Sequence, residues 1–173
     1  MLRSSSWSKK WVKINTFILF SLMIIKIHQR NSDKNNTELY KSAIEMFADL
    51  LIPKTKQEKL KLSLIIKNWA DDDDLGEIHQ ISRNNYKIYI NKNSPFNKII
   101  NTIAHEMVHV RQGVNKQLTM VANGFIWKGD RYINIDFDNT EVYNQYPWEI
   151  EANSESIDLT LKFFKKYVMQ NFV

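Results

Sequence analysis

The chain has no cysteine in its 173 residues. That absence rules out a disulfide framework, a thiolate zinc ligand and a cysteine nucleophile. Any bound metal must be held by His, Asp or Glu. Glycine is also scarce, at 4, and proline numbers 3. No internal repeat at a solenoid period is present. The longest apolar run, Ile14 to Ile25, is about 12 residues, short of the ~18–20 that span a bilayer. Acid is missing from residues 1 to 30, which carry Arg3, Lys9, Lys10, Lys13, Lys26 and Arg30. Residues 31 to 173 therefore hold a net −1 of the total +5 (+5 less +6). The basic footprint that nucleic-acid binding needs is absent from that body, so no nucleic-acid partner is expected.

What is present first is a basic and apolar leader, residues 1–35. Its stretch "WVKINTFILFSLMIIKIHQR" has the basic flank and short apolar core of a secretory signal, with no A-x-A-like cleavage site after it. Three readings stand: an uncleaved anchor reaching the membrane through residues 11–27, with Lys13 and Lys26 snorkelling; a helix packed on the body; or an upstream extension of a cytoplasmic protein. The polar "NSDKNN", residues 31 to 36, marks the expected boundary, and residues 36–173 form the expected domain.

Within that domain, "TELYKSAIEMFADLLIP" carries Tyr40, Ala43, Ile44, Phe47, Ala48 and Leu51 at helical spacing and ends at Pro53. "KLKLSLIIKNW" alternates Leu60, Leu62, Leu64 and Ile66, the period of a strand. "ADDDDLG" lacks the alternating ligand spacing of a calcium loop and reads as a solvated turn. "EIHQIS" and "YKIYIN" form a hairpin across "RNN". "FIWKGDRYINI" is a second hairpin, and "YPWEIEANSESIDLTLKFFKKYVMQ" is a closing helix opened by Pro147. The order of elements gives an α+β domain. His28 and His79 have no partner in sequence and read as structural.

The chemistry lies in "TIAHEMVHVRQG", residues 102 to 113. Ser94 suits the N-cap of the helix that contains it, Pro95 its first position and Gly113 its C′. Phe96, Ile100, Ile103 and Met107 form a packing stripe. At about 100° per residue, His105 and His109 fall on the opposite side, with Glu106 beside them. Two histidines at i and i+4 are placed to ligate one zinc, with the glutamate next to the water that the metal activates. A third ligand must be Asp or Glu: the later acids are Asp130, Asp136, Asp138, Glu141, Glu149, Glu151, Glu155 and Asp158. Glu149 and Glu151 stand out, at the start of a helix behind Pro147-Trp148 in an apolar setting.

"AHEMVHVRQ" followed by "PWEIEAN" resembles the zincin-like metallopeptidases of gluzincin type, in particular small phage and bacterial SprT-like or ImmA-like domains. The likeness covers about residues 38 to 165 in order of elements, and its specific part is the two motifs. It implies a zincin-like α+β fold: a small, mostly antiparallel sheet, an active-site helix with H-E-x-x-H, and a C-terminal helix carrying the third ligand. It further implies Zn2+ held by His105, His109 and Glu149, with Glu106 as the catalytic proton acceptor and donor. Asn153 takes the place of a supporting residue. Glu151 stays an alternative to Glu149, and proteins of the SprT kind use a third histidine that this chain lacks. The expected activity is zinc-dependent hydrolysis of a peptide or protein substrate paired to an edge strand, for which "YKIYIN" is the candidate. Tyr132, Tyr143 and Tyr146 are available to steady the oxyanion. The alternative is a catalytically silent zinc-binding domain of a phage or envelope protein.

Overall fold

The computed structural model describes residues 23–29, 34–68 and 75–171. The first 22 residues, and with them most of the membrane-directed segment, lie outside the described residues, as do the four aspartates of "ADDDDLG". No described helix is long and apolar enough to cross a membrane.

Strand β1 (Ile24–Gln29) precedes helix α1 (Lys34–Leu51), whose first turn includes Lys34, Asn35 and Asn36 of the expected boundary; residues 31 to 33 lie outside the described residues. The one-turn helix α2 (Lys54–Gln57) leads into β2 (Lys61–Lys67). Buried Gln57 donates from its amide nitrogen to the carbonyls of Ala48 and Ile52 at 3.0 and 2.7 Å. It thereby satisfies the Ile52 carbonyl just past α1 and gives a second donor to the Ala48 carbonyl, which also accepts from the Ile52 N–H at 2.9 Å. Strands β3 (Gly76–Ser82) and β4 (Asn85–Asn91) form the expected hairpin.

These four strands make one sheet in the order β1-β2-β4-β3. It departs from the mostly antiparallel sheet expected above. β1 runs parallel to β2, and β2 parallel to β4; only β3 and β4 are antiparallel. The reason is burial. β4 hides Tyr86, Ile88 and Ile90, whereas β3 buries no residue, so the apolar strand takes the centre beside β2. The polar strand of the hairpin takes the edge. "YKIYIN" is thus an interior strand with both sides paired, and among the described residues the edges of this sheet are β1 and β3, with β3 the edge of the hairpin.

Helix α3 (Phe96–Val114) packs between this sheet, α1 and the last helix. Ile100, Ile103, Ala104, Met107, Val108 and Val110 are all 0% exposed, and in the middle turns only the face with Asn101, His105 and His109 is partly open. Its ends differ from expectation. Pro95 precedes the first turn without any side-chain cap from Ser94, and Gly113 lies inside the helix. A Cβ at Gly113 would stand 2.6 Å from the Tyr86 hydroxyl oxygen, so the glycine serves close approach of helix to sheet. The left-handed residue that stops the helix is Lys116 (φ 57). There the N–H groups of Lys116 and Gln117 donate to the carbonyls of Gly113 and Gln112 in a Schellman pattern.

A second, antiparallel sheet follows: β5 (Leu118–Val121), β6 (Gly124–Trp127) and β7 (Asp130–Ile133). The β6–β7 hairpin is the one expected at Lys128-Gly129, while β5 carries no alternation strong enough to announce it. After the short helix α4 (Thr140–Tyr143) comes α5 (Pro147–Asn171). Trp148, at its start, is fully buried in a small core with Phe125 and Trp127, and stacks on Tyr146 at 4.7 Å with rings 2° from parallel. The small sheet thus pins the first turn of α5.

Gly124 tests that role. It has φ +150°, and an added Cβ would lie 2.0 Å from the Tyr132 carbonyl oxygen. Gly124→Ala should destabilise the fold by about 1–3 kcal/mol or more, because backbone must move. Chemical denaturation followed by tryptophan fluorescence reads this directly; wild-type stability would show that the hairpin does not depend on that glycine.

Candidate metal centre

His105, Glu106 and His109 sit in the middle of α3, where its phase turns them away from the core stripe. The start of α5 lies against this turn and brings Glu149, 4% exposed, between the two imidazoles. Glu149 Oε2 is 3.3 Å from His105 Nε2, and Oε1 is 3.3 Å from His109 Nε2. The two Nε2 atoms are 3.0 Å apart. Among the described residues these three form a His/Asp/Glu cluster whose donor atoms all fall within 4.8 Å of one another.

Ligand atoms about 2.1 Å from a shared tetrahedral centre stand about 3.4 Å apart. The separations of 3.0, 3.3 and 3.3 Å are close to those edges. Two imidazole nitrogens and one carboxylate are also a donor set that suits zinc. The three residues therefore fit the metal that the motif implies.

Glu151 goes elsewhere. Its Oε2 accepts from Arg111 at 2.6 Å and from the Gln112 amide nitrogen at 2.9 Å, and its Oε1 meets Lys128 at 3.0 Å. The two glutamates are two residues apart, so about 200° separates them around the helix axis. Glu149 faces the histidines and Glu151 a cationic cluster. Asn153 is exposed and lines the cleft onto which the cluster opens. Gln112, which the sequence pattern did not single out, supports His109 directly, with its Oε1 2.8 Å from Nδ1. The available signal was its place three residues after His109, on the same helical face.

Gln112 also settles the tautomer of His109. Its amide nitrogen donates to the Trp148 carbonyl at 3.0 Å and to Glu151 at 2.9 Å, so its Oε1 faces His109 Nδ1, 2.8 Å away. An amide oxygen only accepts, so Nδ1 carries a proton. In the neutral ring, Nε2 then has its lone pair directed at Glu149 and His105, as a metal ligand requires.

Glu149 favours the charged form of His109. Burial opposes charge on His109, but the hydrogen bond and charge of Glu149 outweigh it and raise its pKa to about 9. Burial likewise opposes the Glu149 carboxylate, yet the hydrogen bonds from both histidines lower its pKa to about 2. Burial pushes the Glu106 carboxyl above its ordinary value, the two histidines pull it down, and Glu149 and Glu77 add to the upward shift.

The cluster opens onto a cleft of about 650 Å³. One wall is Leu75 to Ile78 at the free edge of β3; opposite lie Met120, Phe125, Phe137 and Tyr143. Burial and the Glu149 carboxylate raise the Tyr143 pKa, so its hydroxyl keeps its proton. Tyr132 and Tyr146 instead pack on Trp148. His79 pairs with Glu77 on β3 and His28 lies on β1; neither joins the cluster.

No family model, curated protein or solved structure matches this chain. The reading of the site rests on its own residues.

Two predictions concern metal. Glu149→Ala should lower zinc affinity by more than the roughly 10–100-fold typical of outer-partner changes, and by far more than Glu151→Ala. Competition with a chelator measures both, and the reverse ranking would exclude Glu149 as the ligand. Zinc must also displace the His109 Nε2 proton. Because that pKa is raised, the charged ring stabilises the metal-free fold fully below 6.5 and ceases to as pH passes about 9. Apparent zinc affinity should therefore climb from neutral pH toward 9, with about one proton released per ion from this ring. Calorimetry in buffers of different ionisation enthalpy counts that proton; release of none would contradict the charged pair.

Proposed function

We infer that this protein is a zinc-dependent peptidase. The observation that supports it most is the convergence of His105, His109 and Glu149 on one point, with the buried Glu106 beside them at the floor of an open cleft. His105, His109 and Glu149 would hold the ion. Zinc held there supplies Lewis acidity toward water and toward a carbonyl oxygen.

The chain's own residues supply the rest. The Glu106 carboxylate accepts the proton of the attacking water and returns it to the leaving amine nitrogen. Its burial suits both halves of that task, since a raised pKa brings the acid and base forms closer in energy. The Tyr143 hydroxyl, still protonated, is available to donate to the substrate carbonyl oxygen. The free edge of β3 offers backbone N–H and C=O groups to an extended peptide, in place of the interior β4. Side chains along the cleft also bear on the substrate. Among the described residues the lining includes Glu77, Glu106 and Glu149 but no Lys or Arg, while Met120 and Phe137 expose 72% and 63% of their surface. Such walls suit neutral and apolar peptide side chains and repel acidic ones.

Glu106→Gln separates binding from turnover. It should keep zinc and fold while hydrolysis of an unbiased peptide library falls by about 10²–10⁴-fold. Turnover at the wild-type rate would remove Glu106 from proton transfer. Zinc binding with no cleavage by the wild-type protein would favour a metal-dependent binding domain instead.

A further inference from the structure

Gln112 has no exposed surface, and each polar atom of its side chain has a partner. The two acceptors of its amide nitrogen, the Trp148 carbonyl and the Glu151 carboxylate, cannot donate. Turning the amide over would set its oxygen 3.0 Å from a carbonyl oxygen and 2.9 Å from a carboxylate oxygen. It would also set an NH2 group against His109 Nδ1. In that arrangement Nδ1 must accept, the ring proton moves to Nε2, and the nitrogen facing Glu149 and His105 loses its lone pair.

Glu151 is held in turn. Arg111 spans two glutamates, meeting Glu151 at 2.6 Å and both oxygens of Glu155 at 3.0 Å. Lys128, at the tip of the β6–β7 hairpin, meets the second oxygen of Glu151 at 3.0 Å. A continuous chain of contacts thus runs from the hairpin and Arg111 through Glu151 and Gln112 to His109.

We propose that Glu151 and Gln112 are positioning residues of the metal centre: Glu151 fixes which way the Gln112 amide faces, and the amide fixes the proton of His109 on Nδ1, leaving Nε2 free to bind metal. This rests on the reading that His105, His109 and Glu149 hold zinc, and adds the device that keeps one of those ligands in its binding tautomer. Glu151 does so as an acceptor, not through its charge. The bland alternative is a charge clamp that merely ties α5 to α3.

Three variants separate the two. Glu151→Gln loses the charge but keeps an oxygen where Oε2 stands, accepting from Arg111 and Gln112; its amide nitrogen falls toward Lys128, which is exposed and free to move. Glu151→Met loses both charge and acceptor. Gln112→Met removes the amide itself. Zinc affinity, measured against a chelator, should stay within about threefold of wild type for Glu151→Gln and fall about 10–100-fold for Glu151→Met and Gln112→Met. The melting temperatures of the metal-free proteins read the clamp, and both Glu151 variants should drop together there. Nitrogen-15 NMR of the zinc form should show a slowly exchanging proton on His109 Nδ1 in wild type and Glu151→Gln, and a faster one in Glu151→Met. Equal zinc loss in the two Glu151 variants, or none in Gln112→Met, would overturn the proposal and leave the zinc site standing. If wild type binds no zinc, the site itself is refuted and the proposal with it.

Discussion

A carboxylate almost wholly removed from water has to be met by partners. An unpaired buried charge costs several kcal/mol, more than most single contacts return. Glu149 is such a group, and the local architecture follows from meeting it. One imidazole faces each of its oxygens, and both imidazoles come from the same helical turn, where a spacing of four residues sets side chains one above the other. The arrangement is stable as an ion pair when a proton lies within it. With the proton gone, the same three atoms are a donor set of the kind that could hold a metal ion.

Holding that carboxylate in place needs a rigid first turn of α5, and Trp148 provides it. The indole is enclosed by Phe125, Trp127, Tyr132 and Tyr146. The backbone carbonyl of the same residue accepts from Gln112 on α3. One residue therefore locks α5 to the small sheet through its ring and to α3 through its backbone. The small sheet has two duties, since its outer residues also wall the cleft opposite β3.

Glu149 and Glu151 show how a helix sorts chemically identical side chains. Two positions apart, they meet opposite surroundings: histidines and an open cleft for one, Arg111, Gln112 and Lys128 for the other. Every cationic contact of Glu151 binds it away from the metal-ligand cluster, which removes a competing carboxylate from the centre. The histidine and glutamate geometry around Glu149 then remains undisturbed by a neighbouring negative charge in direct contact.

Periodicity alone made much of this legible. The stripe Ile100, Ile103, Met107 fixed the phase of α3 and hence the side on which His105, Glu106 and His109 stand. The 100° step is a local property of the backbone, so sequence suffices for it. The α1 and α5 helices and both hairpins were readable for the same reason, since their hydrogen bonds join near neighbours. What lay beyond the sequence depended on residues far apart in the chain. The alternation in β2 is the same whether its partner runs parallel or antiparallel, and burial of β4 between β2 and β3 made the sheet mixed and put β3, not β4, at the hairpin's edge of the sheet. The acid candidates between Asp130 and Asp158 differ little as side chains; Glu149 reaches the histidines because α5 packs on α3 at one particular phase. Gln112 could be seen three residues from His109, but its two acceptors come from α5, 36 and 39 residues away. The sequence by itself determined which face of α3 presents His105, Glu106 and His109. The tertiary structure decided which other groups meet them, because the energy that brings helices and strands together is the burial of apolar surface, which is non-directional and leaves no positional mark on any one segment.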